Sequence, residues 1–265
     1  MKEDENLNTP WRRVASTIYK KPSDSKILGG VELDVTDIEE FISEQRREGK
    51  KITLTHFFVV ALGRAVKDEI PQFNTYVKRG RICQRPAIDV AVSVLRADGN
   101  MTSVMVREAD RFTLSTIGDF MNDEILRSRK GTDSEEMKGK NFLARLPWPL
   151  RSWFYKFYRT LTLNWGVSLP GLGMAPERNG SFLLTNIGTL GLDYGYPALL
   201  PTSNFSFVLV MGGIQKKPVV SGDNIVIRRM MPVTIAIDHR MADASHGAVL
   251  FRFLKRALKN PGSYL

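Results

Sequence analysis

Three histidines are the side chains best suited to acid–base chemistry, since imidazole is the group whose unperturbed titration falls near neutral pH. They are His56, His239 and His246. His56 begins an apolar stretch, which favours a hydrogen-bonded residue at a helix start. His246 falls in the first turn of the last expected helix. A zinc site could use only His239 and Asp243 beside His246, which is a poor ligand set, so we expect no metal.

His239 has a setting that the other two histidines lack. It follows an expected strand that ends at Asp238, and it precedes a helix expected to begin near Asp243. Strand ends that face helix starts are common places for functional sites. Asp238, Arg240 and Asp243 surround the imidazole with two carboxylates and a guanidinium, which can set its tautomer. His239 is therefore a candidate general base, although a His-x-x-x-Asp spacing alone is common.

Composition places the chain among folded, enzyme-sized proteins. It has 265 residues, of which 43% are hydrophobic and 25% charged, as in ordinary globular domains. The 38 Lys and Arg exceed the 28 Asp and Glu, giving a net charge of +10. This charge favours an anionic partner: a phosphorylated cofactor, a membrane surface or nucleic acid. Because the basic clusters are scattered and lack interleaved aromatic residues, we do not expect nucleic-acid binding.

Cysteine usage and the N-terminal sequence bear on the compartment. Cys83 is the single cysteine, which leaves no intrachain disulfide and suits a reducing environment. The N-terminus, MKEDENLNTP, has no apolar stretch behind its lysine. No run of the sequence approaches the ~20 apolar residues of a membrane span. We expect a cytoplasmic protein with a short tail over 1–10 and a single domain over 11–265.

Helices and strands are expected to alternate along the chain. Residues 27–35 form an expected strand, and a capping box over 36–39 is expected to open an amphipathic helix. Either Thr53 or Thr55 can cap a second, apolar helix that ends before Pro71.

Further strands and helices follow toward the C-terminus. Two strands within 88–106 should be joined by a turn over 97–100, and a helix should end at about Arg129. The last helix is expected over 244–259, where apolar side chains share one stripe. The remaining strands are expected at 181–185, 204–211, 224–229 and 233–238. The result is a mixed sheet with mostly sequential strands.

The segment 138–176 departs from this patterning, with three tryptophans, several Lys and Arg, and no acidic residue. Residues 149–165 can form a basic amphipathic helix. One interpretation is a helical insert packed on the domain. The other is a surface helix that contacts a membrane or covers an acyl chain. The side chains that would pack are Trp153, Phe154, Phe157 and Leu161.

Three stretches carry a family resemblance: TNIGTLG at 185–191, MPVTIAIDHRMADASHGAVLFRFLKRAL at 231–258, and NPGSYL at 260–265. Together they resemble the catalytic domain of the dihydrolipoamide acyltransferases of 2-oxoacid dehydrogenase complexes, a family similar to chloramphenicol acetyltransferase. The resemblance covers nearly the whole chain from Trp11. It implies an α/β domain of the coenzyme A-dependent acyltransferase fold, chloramphenicol acetyltransferase-like, with a mixed sheet flanked by helices.

The family pattern Asp-His-Arg-x-x-Asp-Gly falls on Asp238, His239, Arg240 and Asp243. The resemblance therefore implies that His239 is the base that deprotonates an acceptor as it attacks a thioester carbonyl. A Ser or Thr hydroxyl of the family falls on Thr185, which would donate to the oxyanion of the tetrahedral intermediate.

The resemblance also implies a structural ion pair and an assembly. Arg13, in Trp11-Arg12-Arg13, would pair with Asp243 and brace the histidine loop. The chain would form a homotrimer, with larger assemblies left open. In such a trimer, His239 of one subunit would face Thr185 of its neighbour, and coenzyme A would enter the site as a substrate. The expected reaction moves an acyl group between coenzyme A and a dihydrolipoyl-like thiol or a hydroxyl.

Three departures from the family pattern bear on this expectation. Ala244 replaces a glycine that could adopt a positive φ or allow close backbone approach. No Asp-Lys-Ala lipoyl-attachment motif occurs, so we expect no covalently bound lipoyl group on this chain and a free-standing enzyme. The insert over 138–176 is longer than the usual connection. The alternatives are a non-catalytic trimeric relative acting in assembly or membrane-surface docking, and an enzyme that hydrolyses thioesters with a His239-activated water.

Overall fold

The computed structural model describes residues 25–95, 101–129, 147–167, 180–199 and 203–265. Nine β-strands and five α-helices lie within these ranges. The strands are β1 (Lys26–Asp34), β2 (Thr75–Lys78), β3 (Arg81–Gln84), β4 (Val90–Leu95), β5 (Met101–Val106), β6 (Phe182–Asn186), β7 (Phe207–Met211), β8 (Gln215–Ser221) and β9 (Asn224–Asp238). The helices are α1 (Thr36–Arg47), α2 (Leu54–Asp68), α3 (Leu114–Arg129), α4 (Trp148–Arg159) and α5 (Ala244–Lys259).

Seven strands form one mixed sheet in the order β1-β9-β7-β6-β4-β5, with β8 paired to the first half of β9. The β4–β6 and β6–β7 pairs are parallel, and the other pairs are antiparallel. Strands β2 and β3 form a separate hairpin. The mixed α/β architecture is as predicted, but the strand order is less sequential than expected, because β1 pairs along its whole length with β9.

The two faces of the sheet carry different side chains, because residues alternate across a strand. On one face, α2 packs among α1, α3 and α5, and the sheet contributes to the main core. The strand residues of that core include Val90, Val92, Phe182, Leu184, Phe207, Leu209, Val233 and Ile235. The intervening residues Ala91, Leu183 and Val208 form a smaller cluster on the second face. By the same alternation, Thr185 and Asp238 project from the second face.

The helix starts confirm one expected cap and correct another. Thr53 caps α2, accepting a hydrogen bond from the backbone N–H of His56 at 3.2 Å. The expected capping box over 36–39 is wrong, because α1 begins at Thr36 without a side-chain cap. The Thr36 hydroxyl donates to the Asp34 carboxylate at 2.7 Å and accepts from the backbone N–H of Arg229 at 2.9 Å. That hydroxyl therefore links the end of β1 to β9 and does not cap the helix.

Strand β9 is continuous where the sequence predicted two strands. Pro232 lies within β9, although proline lacks the N–H that a central strand donates. The structure tolerates it because β7 pairs with β9 only from Val233 onward, and the Pro232 carbonyl accepts from the backbone N–H of Gly212 at 2.8 Å. Strand β8 and the β2–β3 hairpin were not predicted.

Helix α4 lies in the segment that the sequence marked as an insert, and it continues into a π-helical turn over Thr160–Asn164. The prediction that the helix packs on the domain through Trp153 and Phe157 is wrong, because these side chains are 66% and 54% exposed. Phe154 and Leu161 are partly buried. The predicted insert residues outside 147–167 lie outside the described residues. Among the described helices, none has both the length and the apolar character needed to cross a membrane.

Candidate active site

His239 stands at the end of β9, where pairing with β1 fixes its backbone. Its N–H donates to the carbonyl of Ser25 at 2.8 Å. The ring Nδ1 lies 3.1 Å from Oδ1 of Asp243 and 3.3 Å from the carbonyl oxygen of Ala242. The His239 side chain is 55% exposed, so solvent or a substrate can reach it.

These two neighbours determine which ring nitrogen of neutral His239 carries the proton. A carbonyl oxygen and a carboxylate are both acceptors, so Nδ1 must be the N–H that donates to them. The lone pair of the neutral ring is then on Nε2. The arrangement leaves His239 with a basic nitrogen on the side of the ring away from Asp243, as a general base requires.

Asp243 joins the strand end to the start of α5. It is the residue before the first helical turn, and it forms a reciprocal capping box with His246. The Asp243 N–H donates to Nδ1 of His246 at 3.0 Å. The role of His246 is therefore structural in this arrangement, because its Nδ1 is occupied as an acceptor. The sequence placed His246 correctly in the first turn but gave no sign of this bond.

Ala244 occupies the first position of α5. Among the described residues, the non-glycine positions with positive φ are Arg79 and Glu108, so Ala244 has no left-handed backbone. Alanine has the highest helix propensity of the residues. The change from the family's glycine therefore places no backbone strain on the loop that carries His239.

Asp238 and Arg240 form a second interaction beside His239. The Arg240 guanidinium donates to both carboxylate oxygens, with Nε–Oδ1 at 2.9 Å and Nη2–Oδ2 at 2.5 Å. The Asp238 side chain is 6% exposed, and it also accepts from the Arg240 backbone N–H at 3.0 Å. Hydrogen bonding to Asp238 raises the pKa of Arg240. The pair links the two residues on either side of His239.

Thr185 lies near the end of β6, followed by a tight turn. The amide of Asn186 donates to the Thr55 hydroxyl at 3.3 Å, and the Ile187 N–H donates to the Met211 carbonyl at 2.9 Å. Gly188 packs so closely on Gly212 that an added Cβ would lie 2.5 Å from its carbonyl oxygen. The glycine of the TNIG motif is therefore explained by close backbone approach.

Thr185 and His239 do not meet within one chain. Thr185 pairs with Val210 on β7, and Val210 pairs with Thr234 on β9. His239 lies further along β9 than Thr234, beyond Asp238, and β6 and β9 are separated by β7. At ~3.4 Å per residue and ~4.8 Å between strands, the two side chains stand on the order of 20 Å apart. The structure therefore brings together His239 and Asp243, and it leaves Thr185 at the opposite end of the sheet.

One predicted site residue lies outside the described residues. The sequence analysis also missed one residue that supports the site. Arg13, expected to pair with Asp243, is outside the described residues. Ser25 holds the His239 backbone, and its hydroxyl donates to Asp238 at 3.4 Å. No local pattern could reveal Ser25, because its position depends on the pairing of the first and last strands of the sheet.

The fold and this site define an α/β protein with a positioned imidazole at the end of a strand, and comparison with known proteins supplies the family. The model of the family described as 2-oxoacid dehydrogenases acyltransferase (catalytic domain) matches residues 4–144 and 172–265. The chain belongs to this family, which confirms the resemblance. The unmatched residues 145–171 include all of α4, so the family model does not cover this helix.

Similar proteins agree with this assignment. A dihydrolipoyllysine-residue acetyltransferase component of the acetoin cleaving system of Bacillus subtilis is 22% identical over 222 residues, covering 83% of this chain and 45% of that protein. The chain spans about half the length of the curated relatives it matches.

Two solved structures share the fold. A probable dihydrolipoamide acetyltransferase from Listeria monocytogenes has a TM-score of 0.66 and 18% identity, with 96% of this chain and 93% of that chain covered. The dihydrolipoamide acetyltransferase of Azotobacter vinelandii has a TM-score of 0.67 and 16% identity, with coverage of 91% and 84%. The predicted coenzyme A-dependent acyltransferase fold is thereby confirmed.

Proposed function

We propose that the protein is an acyltransferase that moves an acyl group between a coenzyme A thioester and a thiol of dihydrolipoyl type or a hydroxyl. Family membership supports the class of reaction, and His239 supplies the chemistry. The observation that carries the proposal is the contact of His239 Nδ1 with the Asp243 carboxylate, which leaves Nε2 as the base. The net charge of +10 suits a substrate with the phosphates of coenzyme A.

In the proposed reaction, Nε2 of His239 takes the proton of the acceptor thiol as its sulfur bonds to the thioester carbonyl carbon. The carbonyl π electrons move onto oxygen, and the Thr185 hydroxyl donates a hydrogen bond to the resulting oxyanion. When the carbonyl re-forms, the bond to the coenzyme A sulfur breaks. The departing thiolate takes the proton back from His239. Asp243 keeps the ring oriented and stabilises the imidazolium between the two steps.

The Azotobacter vinelandii enzyme supports these roles by analogy. A serine, a histidine and an asparagine have a role in its catalytic mechanism, and the asparagine follows the histidine by four residues. Asp243 follows His239 at the same spacing, and Thr185, like that serine, is a hydroxyl residue. An asparagine side-chain oxygen and a carboxylate can both accept from the ring N–H.

The separation of Thr185 from His239 within one chain supports a site shared between subunits. A donor on the order of 20 Å from the base cannot contact the same reacting carbonyl. A second copy that brings its Thr185 toward His239 completes the pair. We propose a homotrimer with three such shared sites, since rings close through one repeated head-to-tail contact.

Mixed assemblies of two inactive variants test the shared site. His239→Ala and Thr185→Ala chains, each with its own tag, are co-expressed, and assemblies carrying both tags are purified. Each variant alone should transfer acyl groups from acyl-coenzyme A to dihydrolipoamide at least about a hundredfold more slowly than wild type. In a trimer that carries both tags, an intact histidine faces an intact threonine at one of the three head-to-tail contacts, so the purified assemblies should recover about a third of the wild-type rate.

A matched pair provides the control. His239→Ala mixed with Asp243→Ala should show no recovery, because both residues belong to the same side of the site. If the His239 and Thr185 variants also fail to complement in verified mixed assemblies, the shared site is overturned. If wild type itself transfers no acyl group, the acyltransferase proposal is wrong, and if His239→Ala retains the wild-type rate, His239 is not the base.

A further inference from the structure

Helix α4 and the turn that follows it present large apolar side chains to solvent. Leu150, Trp153 and Phe157 are 56%, 66% and 54% exposed. Their spacing of three and four residues places them on one stripe of the helix. Trp153 and Phe157 stack with ring centroids 5.8 Å apart, and Trp165, beyond the helix, is 60% exposed. An apolar stripe of this kind in a globular protein marks an interaction surface.

Basic side chains border this stripe. Lys156 of α4 is exposed beside the stripe, and the tip of the β2–β3 hairpin lies beside Trp165. Nε of Arg79 donates to the Trp165 carbonyl at 2.8 Å. The side chain of Lys78 lies against Gly166. The hairpin and the end of the α4 segment therefore form one continuous surface.

An open cleft of about 570 Å³ lies at the hairpin tip, lined by Lys78, Arg79, Arg81 and Cys83. A second open cleft, of about 420 Å³, is lined by Arg79 and Trp165. Neither 75–84 nor 147–167 contains an Asp or Glu. The surface thus combines a cationic cleft with exposed indole rings, and its own two segments provide no anion.

We propose that this surface, made of α4, Trp165 and the β2–β3 hairpin tip, docks the protein onto an anionic lipid bilayer. Trp153, Phe157 and Leu150 enter the boundary between headgroups and acyl chains, where tryptophan is favoured. Lys78, Arg79 and Arg81 face the lipid phosphates. At ~1.5 Å per residue, α4 is about 18 Å long, which is too short to span the ~30 Å hydrocarbon layer, so the helix lies in the plane of the surface.

The positive charge of this surface favours an anionic bilayer over a second copy of the same surface as its binding partner. A two-fold contact through this patch would bring lysines and arginines close to their own copies, which opposes association. An anionic bilayer neutralises them all. The helix also lies within residues 145–171, which the family model does not match, so the family's sequence pattern does not account for the exposed stripe. The docking surface is independent of the catalytic proposal.

Co-sedimentation with vesicles tests the docking. Wild-type protein should bind vesicles of phosphatidylcholine mixed with phosphatidylglycerol, bind phosphatidylcholine alone much more weakly, and lose binding as salt rises. Trp153→Ser/Phe157→Ser should lower the partition coefficient at least about tenfold. Lys78→Glu/Arg81→Glu should lower it by at least as much on anionic vesicles. Tryptophan emission should shift to shorter wavelength on binding.

Two control variants match these changes away from the surface. Leu126→Ser removes another exposed apolar side chain, which is 53% exposed on α3. Arg252→Glu/Lys255→Glu makes the same change in net charge on exposed residues of α5. Both should bind anionic vesicles like wild type, and circular dichroism should show that every variant is folded.

Three outcomes would overturn the docking proposal. The first is no binding to anionic vesicles at low salt. The second is equal loss of binding in the α5 charge variant, which would indicate nonspecific attraction by net charge. The third is a change in assembly size for Trp153→Ser/Phe157→Ser without any vesicle binding by wild type, which would assign the stripe to a contact between copies. Acyl transfer by the soluble protein should be unaffected in every variant.

Discussion

The Nδ1 atom of His239 lies 3.1 Å from Oδ1 of Asp243, the residue that caps α5. One carboxylate thus orients the ring and anchors the helix start. Asp243→Asn keeps a side-chain acceptor for His239 Nδ1 and for the capping box of α5. We therefore expect a loss of less than about tenfold in kcat. Asp243→Ala removes both and should lower kcat about a hundredfold, with a stability loss of about 1 kcal/mol from the missing cap.

Single-turnover kinetics and urea unfolding measure the two effects of Asp243 separately. A His246→Ala variant loses the reciprocal capping bond but keeps the carboxylate at His239. It should share the stability loss and retain most of the rate. Equal kcat values for Asp243→Ala and wild type would contradict the orienting role.

Gly188→Ala should displace the turn that follows Thr185, because the new methyl group would lie 2.5 Å from the carbonyl oxygen of Gly212. We expect a stability loss of about 2 kcal/mol and a lower kcat from the shifted Thr185 hydroxyl. Gly262→Ala is the matched control, since its added Cβ meets nothing within 4 Å. Thermal unfolding of both variants checks the prediction, and equal melting temperatures would contradict it.

The Asp238–Arg240 pair should be sensitive to loss of one partner. Arg240→Met removes the guanidinium hydrogen bonds to a nearly buried carboxylate and should cost about 2 kcal/mol, less than a fully buried pair because Arg240 is half exposed. Arg240→Lys keeps the charge without the planar fork, so it should fall between wild type and Arg240→Met. Urea unfolding provides the measurement. A stability of Arg240→Met equal to wild type would show that the backbone N–H of residue 240 and the Ser25 hydroxyl satisfy Asp238.

His56 should make stability depend on pH. Burial at the start of α2 lowers the pKa of His56 from 6.5 to about 4. Between these values the unfolded chain binds more protons than the folded chain, so stability rises with pH. The contribution is complete above pH 6.5 and is lost as pH falls toward 4. The change is at most about 3 kcal/mol.

Urea unfolding of wild type and His56→Gln across this pH window isolates the contribution of His56, because glutamine does not titrate. The slope of stability against pH should be smaller in the variant. Parallel curves for the two proteins would assign the pH dependence to other groups.

The sequence predicted the local elements well and the long-range pairings poorly. The helix that starts at Ala244 and the Thr53 cap follow from residue spacing over one or two turns. The pairing of β1 with β9 joins residues 196 to 212 positions apart, so no local pattern encodes it. The role of Ser25 depends entirely on that pairing.

Residue type was enough to predict the site residues, but the distances between these residues depend on the sheet. His239 and Asp243 meet because a short loop joins a strand end to a helix start, and this spacing is visible in the sequence. The sequence did not decide whether Trp153 and Phe157 are exposed, because an amphipathic pattern does not specify what covers its apolar face.

The distance between Thr185 and His239 gives the proposed enzyme a dependence on its own concentration. A single newly made chain holds a base without an oxyanion donor, so it would leave cellular thioesters intact. Activity would arise only when copies associate, and dilution below the dissociation constant should silence the enzyme without unfolding it. Specific activity should therefore fall on dilution and return on concentration.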